Sequence, residues 1–198
     1  EADVARLIKT LSSDEMEGRG TFTPGIDRAA KFIENEFKQI GLKPLDGDND
    51  FRQDFTVKRI KPETIQATVN GKTIDQQNVL LISDLQSSGF DQNSGNKVII
   101  IASGDQFIQK YREITAMKSP VLVLVDNQHA QMFKRLKDNS SRGRIVEKQN
   151  QTSAAVFILG ESDAASYKVS FSNKIEEFPL FNVAGMLPGK SKAKELVL

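Results

Sequence analysis

The 198-residue chain balances 27 basic against 26 acidic side chains, which removes any bulk-charge argument for nucleic acid or an anionic membrane surface. With no cysteine, disulfides, zinc-thiolate centres and cysteine nucleophiles are excluded. Its apolar runs, such as Val98–Ala102 and Val121–Val125, are far too short to span a bilayer, and 198 residues fit one domain or two small ones.

In chain order, Val4, Leu7, Ile8 and Leu11 fall on one face of a helix predicted over Asp3–Leu11. An acidic, glycine-rich stretch, "SSDEMEGRGTFTPG", interrupts it. A longer helix is predicted from Pro24 to about Ile40, with Thr23 as its cap and proline at the first helical position. Ile26, Ala30, Ile33, Phe37 and Ile40 make its apolar stripe, and Gly41 is a left-handed stop. "LDGDND" reads as a loop. "FRQDFTV" reads as a strand with Phe51, Phe55 and Val57 on one face. Ile65, Ala67 and Val69 alternate ahead of Asn70-Gly71, a strong hairpin signal, and Asn78–Ser83 is a short strand.

The pattern changes near Lys97. "KVIIIA" and "PVLVLVD" read as buried strands, separated by a helix with Phe107, Ile108, Tyr111, Ile114 and Thr115 on one side. "QHAQMFKRLK" is a shorter helix and Ser153–Leu159 a third strand. Strand and helix alternating at this spacing predict a parallel crossover unit. The polar run Asp138–Thr152 reads as a mobile loop. Tyr167, Val169 and Phe171 alternate on a further strand, and "FNVAGMLPG" reads as a strand ending in a Pro-Gly turn. "KELVL" starts one more apolar strand, so the C-terminus reads as a cut. The start at Glu1, with no signal-like segment, reads as processed.

None of the chemical signals forms a catalytic constellation. Asp14, Glu15 and Glu17 could ligate a hard cation, but no repeat of loop oxygens accompanies them, and solvated helix-end acids are the preferred reading. Gly18-Arg19-Gly20 lacks the preceding strand and third glycine of a dinucleotide loop, and the Lys-Ser/Thr of a Walker loop. Arg19 reads as a turn arginine paired to a nearby acid. His129, the only histidine, reads as a surface or capping residue beside Asp126. One histidine rules out a two-histidine metal site within this chain, a Ser-His-acid triad has weak support, and no Gly-x-Ser-x-Gly elbow appears. The clusters Lys58-Arg59-Ile60-Lys61 and Lys134-Arg135-Leu136-Lys137 read as solvated faces. Asn139-Ser140-Ser141 and Asn150-Gln151-Thr152 match the glycosylation pattern. No catalytic or metal residue is assigned in this chain, and its substrate-binding residues stay unassigned.

The combination is more specific than its parts. Ser13, Asp14, Glu17, Gly18, Arg19, Pro24, Gly25, Ala29, Ala30, Gly41, Leu42 and Pro44 together resemble the amino-terminal segment of the di-zinc aminopeptidase family that includes glutamate carboxypeptidase and transferrin-receptor-like proteins. Asn182, Val183, Gly185, Leu187, Pro188 and Gly189 resemble a later strand and turn of that family. Between them, the run from Lys97 to Gln128 is similar in pattern to an inserted protease-associated (PA) domain, with Gly95-Asn96-Lys97 where the family has Gly-Lys.

The resemblance implies an α/β fold: an interrupted fragment of a zinc-peptidase domain, residues 1–57 and 179–198, with a PA-like α/β insert over 58–178. It implies that the parent protein removes amino-terminal residues from peptides with two zinc ions, whose first ligand, a His-x-Asp histidine, follows a strand that "KELVL" would begin. The chain itself is then expected to hold no cofactor, to be inactive alone, and to serve substrate access or interaction with peptides or proteins. Its flanking segments are also expected to give some self-association or to dock differently from the intact enzyme, and the parent is expected to be secreted, periplasmic or on the cell surface. The alternatives are a non-enzymatic PA-like binding module and a fragment of a glutaminyl-cyclase-like acyltransferase.

Overall fold

The computed structural model describes residues 1–45, 47–148 and 154–189. The fold is α/β, with two compact units: Glu1–Thr56 together with the chain from Phe178 onward, and Val57–Glu177. The sequence reading placed its breaks after 57 and after 178. No helix among the described residues is long and apolar enough to cross a membrane.

In the first unit, α1 (Ala2–Leu11) leads through a tight 3-10 segment (Asp14–Arg19) to α2 (Pro24–Gln39). Thr23 occupies the cap position of α2, but its hydroxyl donates back to the Gly20 carbonyl (2.6 Å) and leaves the helix amides alone. Gly41 ends α2 at φ +83°, and the Leu42 amide donates to the Phe37 carbonyl (2.9 Å), a six-residue closure that only a left-handed residue permits. Arg6 grips Glu36 with two bonds of 2.7 and 2.6 Å, tying α1 to α2. The returning chain pairs with the segment just beyond α2. Lys43 and Met186 exchange backbone bonds, the Ala184 amide donates to Phe51, and Gly185 lies so close to Phe37 that a Cβ there would stand 2.9 Å from its ring. The predicted α1 stripe is only partly covered, with Val4 58% and Ile8 62% exposed.

The second unit holds all of one sheet and most of another. One has the order β3-β8-β6-β5, formed by β3 (Val79–Ser83), β5 (Lys97–Ile101), β6 (Val121–Val125) and β8 (Ala154–Leu159). β5, β6 and β8 are parallel, and β3 runs against β8. The connections β5–β6 and β6–β8 carry α3 (Phe107–Thr115) and α4 (Ala130–Ser141). The other sheet has the order β2-β1-β9-β4, from β1 (Arg52–Val69), β2 (Lys72–Thr73), β4 (Ser87–Asp91) and β9 (Tyr167–Val183), with β7 (Arg144–Val146) paired to β1 at Lys58–Ile60.

Strand alternation divides the core in two. Val121, Val123, Val125, Ala155, Phe157 and Leu80 face Phe107, Ile114 and Phe133 of the helices. Leu122, Leu124, Val156, Ile158, Val79 and Leu81 face Ala67, Val69, Phe90, Val169 and Phe171 of the second sheet. Both faces of β6 are thus apolar, which explains its unbroken run. The Asn70-Gly71 turn forms as predicted, with both residues at positive φ (49° and 78°) and Val69 opposite Lys72.

The structure corrects several expectations. β5 is an edge strand, and only Ile101 in it is buried; Val98 and Ile100 are 41% and 53% exposed, because no strand or helix among the described residues covers that face. The expected loop after Asp138 is ordered through α4 to Ser141 and then β7; the remainder, 149–152, lies outside the described residues, as does "KELVL". The strands expected at 51–57 and 65–69 are one strand, as are those at 167–171 and around 182. Phe51 and Val57 are buried as expected, but Phe55 between them is 36% exposed. Strand β4 was not anticipated, because "SSGFD" offers a single large apolar residue, Phe90.

Candidate functional site

Among the described residues, 13–25 hold three of the four non-glycine residues at positive φ. Glu17, Gly18 and Arg19 all lie in the left-handed region (φ 48°, 66° and 55°), and Phe22 follows at 68°. For a residue with a Cβ such a conformation costs on the order of 1 kcal/mol or more and persists only where neighbours enforce it. Here α2 does the enforcing. Arg28 Nε donates to the Glu15 carbonyl (2.6 Å), and its guanidinium holds the Glu17 carboxylate at 2.6 Å. Met16 is buried beneath the turn, and its carbonyl rests directly on Gly25 in the first turn of α2. The Phe22 ring packs against Phe178, tilted by 42° with centroids 4.7 Å apart.

This geometry corrects the reading of Arg19. The arginine that pairs with an acid of the turn is Arg28, while Arg19 is exposed and makes no ion pair among the described residues. The signal that could have found Arg28 is weak: one basic residue on the first turns of a helix that packs against an acidic segment. Asp14 and Glu15 are exposed and Glu17 is paired with Arg28, and the three carboxylates form no metal-holding group. Among the described residues there is no group of three or more histidine, cysteine, aspartate or glutamate side chains able to hold a metal ion.

His129 precedes α4, half-buried, with its ring stacked on Phe107 at 5.2 Å. Its Nε2 lies 2.8 Å from the Ala102 carbonyl. A carbonyl only accepts, so Nε2 carries the proton and the imidazole fastens the loop after β5 to the start of α4. The same loop is closed from within by Asp105, whose carboxylate accepts the Ala102 amide (2.7 Å) and lies 3.3 Å from Lys110 Nζ. The amide bond, then Lys110, hold the Asp105 carboxyl below its ordinary value of 3.8. A lowered folded-state value means that Asp105 favours the folded form above its unfolded-state pKa, and that this contribution fades as pH falls below about 4. Asp105→Asn is therefore expected to lower the urea midpoint at pH 7, and the gap from the parent chain should narrow progressively as pH falls below the ordinary carboxylate value. A gap independent of pH would refute this assignment.

The basic clusters are not simply solvated. Arg59 makes bonds of 3.1 and 2.7 Å to Glu176, Lys58 meets Glu177 at 3.2 Å, and Ile60 is buried, leaving Lys61 exposed. Lys134 and Arg135 are exposed, but Lys137 folds back onto the Gln76 and Val79 carbonyls, and burial there pushes its ammonium pKa down. Asn139 is exposed in the last turn of α4, and the second glycosylation match lies outside the described residues. A recess lined by Ser83, Asp84, Thr115, Ser119 and Arg144 has a volume of about 70 Å³, enough for water or an ion but far below the size of a small-molecule site. Comparison with known protein families, with characterised proteins and with solved structures finds no match.

Proposed function

We propose that the chain is the leading portion of a zinc-dependent aminopeptidase whose catalytic domain is interrupted by a PA-like unit, and that this portion serves substrate access or interaction without catalysing. The observation that carries the reading is the insertion topology. The first unit is discontinuous: the chain leaves it after Thr56 and returns at Phe178, and Lys43 and Met186 then pair within it. Three further features support the same reading. Ser13, Asp14, Glu17, Gly18, Arg19, Pro24 and Gly25, which belong to the resemblance, lie together on one enforced turn. Gly185, in the second block of resemblance, is packed against Phe37 and Leu42. The exposed apolar side chains of the first unit (Val4, Ile8, Ile40 and Leu187) are surface that a larger sheet would cover.

The two zinc ions implied by the resemblance do not fit the described residues, which offer no ligand cluster, so no chemical step is assigned to this chain. In the parent protein the ions would activate water and polarise the peptide carbonyl, held by residues outside this segment. The parent would act on the amino termini of peptides, in a secreted, periplasmic or cell-surface setting.

The test compares this chain with the product of the full reading frame on aminoacyl and glutaminyl reporter substrates, with and without a chelator. The expected result is chelator-sensitive release of amino-terminal residues by the longer protein, and neither activity nor stoichiometric zinc in this chain. A reading frame that stops at Leu198, or lacks a His-x-Asp shortly after it, overturns the proposal. So does cyclisation of glutaminyl substrates in place of hydrolysis.

A further inference from the structure

The sheet β3-β8-β6-β5 has two edges, and they are treated differently. Along β3 the outward carbonyls of Val79, Leu81 and Ser83 are each taken by a side-chain donor: Lys137 Nζ at 2.7 Å, Ser140 Oγ at 3.0 Å and Arg144 Nη2 at 3.0 Å. Side chains from α4 and β7 thus stand where a further strand would pair, one of the ways proteins disarm an exposed edge.

β5 has no such seal. The Ile101 carbonyl accepts the Asp126 amide (3.0 Å), so the peptide groups of Ile101 and, by alternation, Ile99 face β6. Those of Val98 and Ile100 face outward, and among the described residues nothing meets them. The strand has no proline and no charge between Val98 and Ile101, and the side chains of Val98 and Ile100 are themselves exposed on one face.

We infer that β5 is a docking edge and that its occupant is a second copy of this chain, paired antiparallel about Ile99. The strand is self-complementary in that register. Val98 lies opposite Ile100 of the other copy and the reverse, so every open N–H and C=O of both strands is used. The β-branched side chains meet as cross-strand pairs. Lys97 lies opposite Ile101 of the other copy, next to Ala102, whose amide is bound by Asp105, so opposite charges face each other across the pairing. Two four-stranded sheets become one continuous sheet. The pairing is independent of the peptidase proposal and engages only residues of the second unit.

Because the chain has no cysteine, Ile99→Cys places a single thiol on the two-fold axis, opposite its own copy at a separation of roughly 5 Å. Mild oxidation of the 198-residue variant is expected to give a covalent dimer with an unchanged circular dichroism spectrum. In sedimentation velocity over a concentration series, Ile100→Lys is expected to weaken association at least ten-fold; at an exposed position it leaves the fold intact. A variant with Val4→Glu and Ile8→Glu should associate as the parent does. Three outcomes overturn the inference: a monomer at every concentration, association abolished by the Val4/Ile8 variant but not by Ile100→Lys, or a monomeric chain that binds an extended valine/isoleucine-rich peptide.

Discussion

Phe157→Ala is expected to destabilise the second unit by about 3–5 kcal/mol. Phe157 is fully buried in β8, flanked in register by Leu80 of β3 and Val123 of β6, with Tyr111 of α3 across from it at 5.4 Å. These neighbours belong to hydrogen-bonded strands and a docked helix, so they cannot close around the space a lost ring leaves, and the cavity persists. Tyr111 feels the same environment: its burial pushes the phenol pKa up. The measurement is unusually clean. The chain has no tryptophan, and its two tyrosines, Tyr111 and Tyr167, are both in the second unit, so tyrosine fluorescence reports that unit's urea transition. Phe157→Leu, which keeps most of the volume, should cost less than half as much. A loss below about 1 kcal/mol for the alanine variant would mean that the two-layer core is not packed as described.

Gly25→Ala comes next, with an expected loss of about 3 kcal/mol from the first unit. The methyl would lie 3.0 Å from the Met16 carbonyl carbon, closer still to its oxygen, and 3.1 Å from the Glu17 Cβ. Neither neighbour can yield cheaply. Met16 is buried, and Glu17 is held in a left-handed conformation by Arg28. Relief requires α2 to move off the turn, which releases the backbone strain but forfeits the Arg28 bonds. The loss should show at 222 nm, where α1 and α2 contribute, with the tyrosine transition as the internal reference. Unchanged unfolding at 222 nm would show that the contact between turn and helix is looser than the structure has it. Alanine is otherwise a good helix former, so propensity alone would predict a gain.

Much of the fold was legible because local signals agreed. Pro24 and Gly41 bracket α2, "VLVLV" could only be a strand buried on both faces, and Asn70-Gly71 specified its turn. What stayed hidden depends on which elements become neighbours. "KVIIIA" looks as buried as "VLVLV", and only its place at the end of the sheet exposes Val98 and Ile100. β7 and β4 are short and polar, and exist because β1 and β9 are there to pair with them. In the acidic turn the sequence pointed to the wrong arginine, since the partner of Glu17 comes from a helix packed across the turn. The seal on β3 could not be read either, because Lys137, Ser140 and Arg144 converge on carbonyls that carry no sequence signature.

The pairing of Lys43 with Met186 also bears on biosynthesis. On a ribosome adding 5–20 residues per second, α1 and α2 emerge on the order of ten seconds before the strand that completes their unit. Throughout that interval Phe37, Leu42 and Phe51 have no returning segment against which to rest, whereas the whole of Val57–Glu177 is synthesised in the meantime. Val57–Glu177 is thus complete before the unit that holds α1 and α2, and those two helices are the part that a holding chaperone would serve.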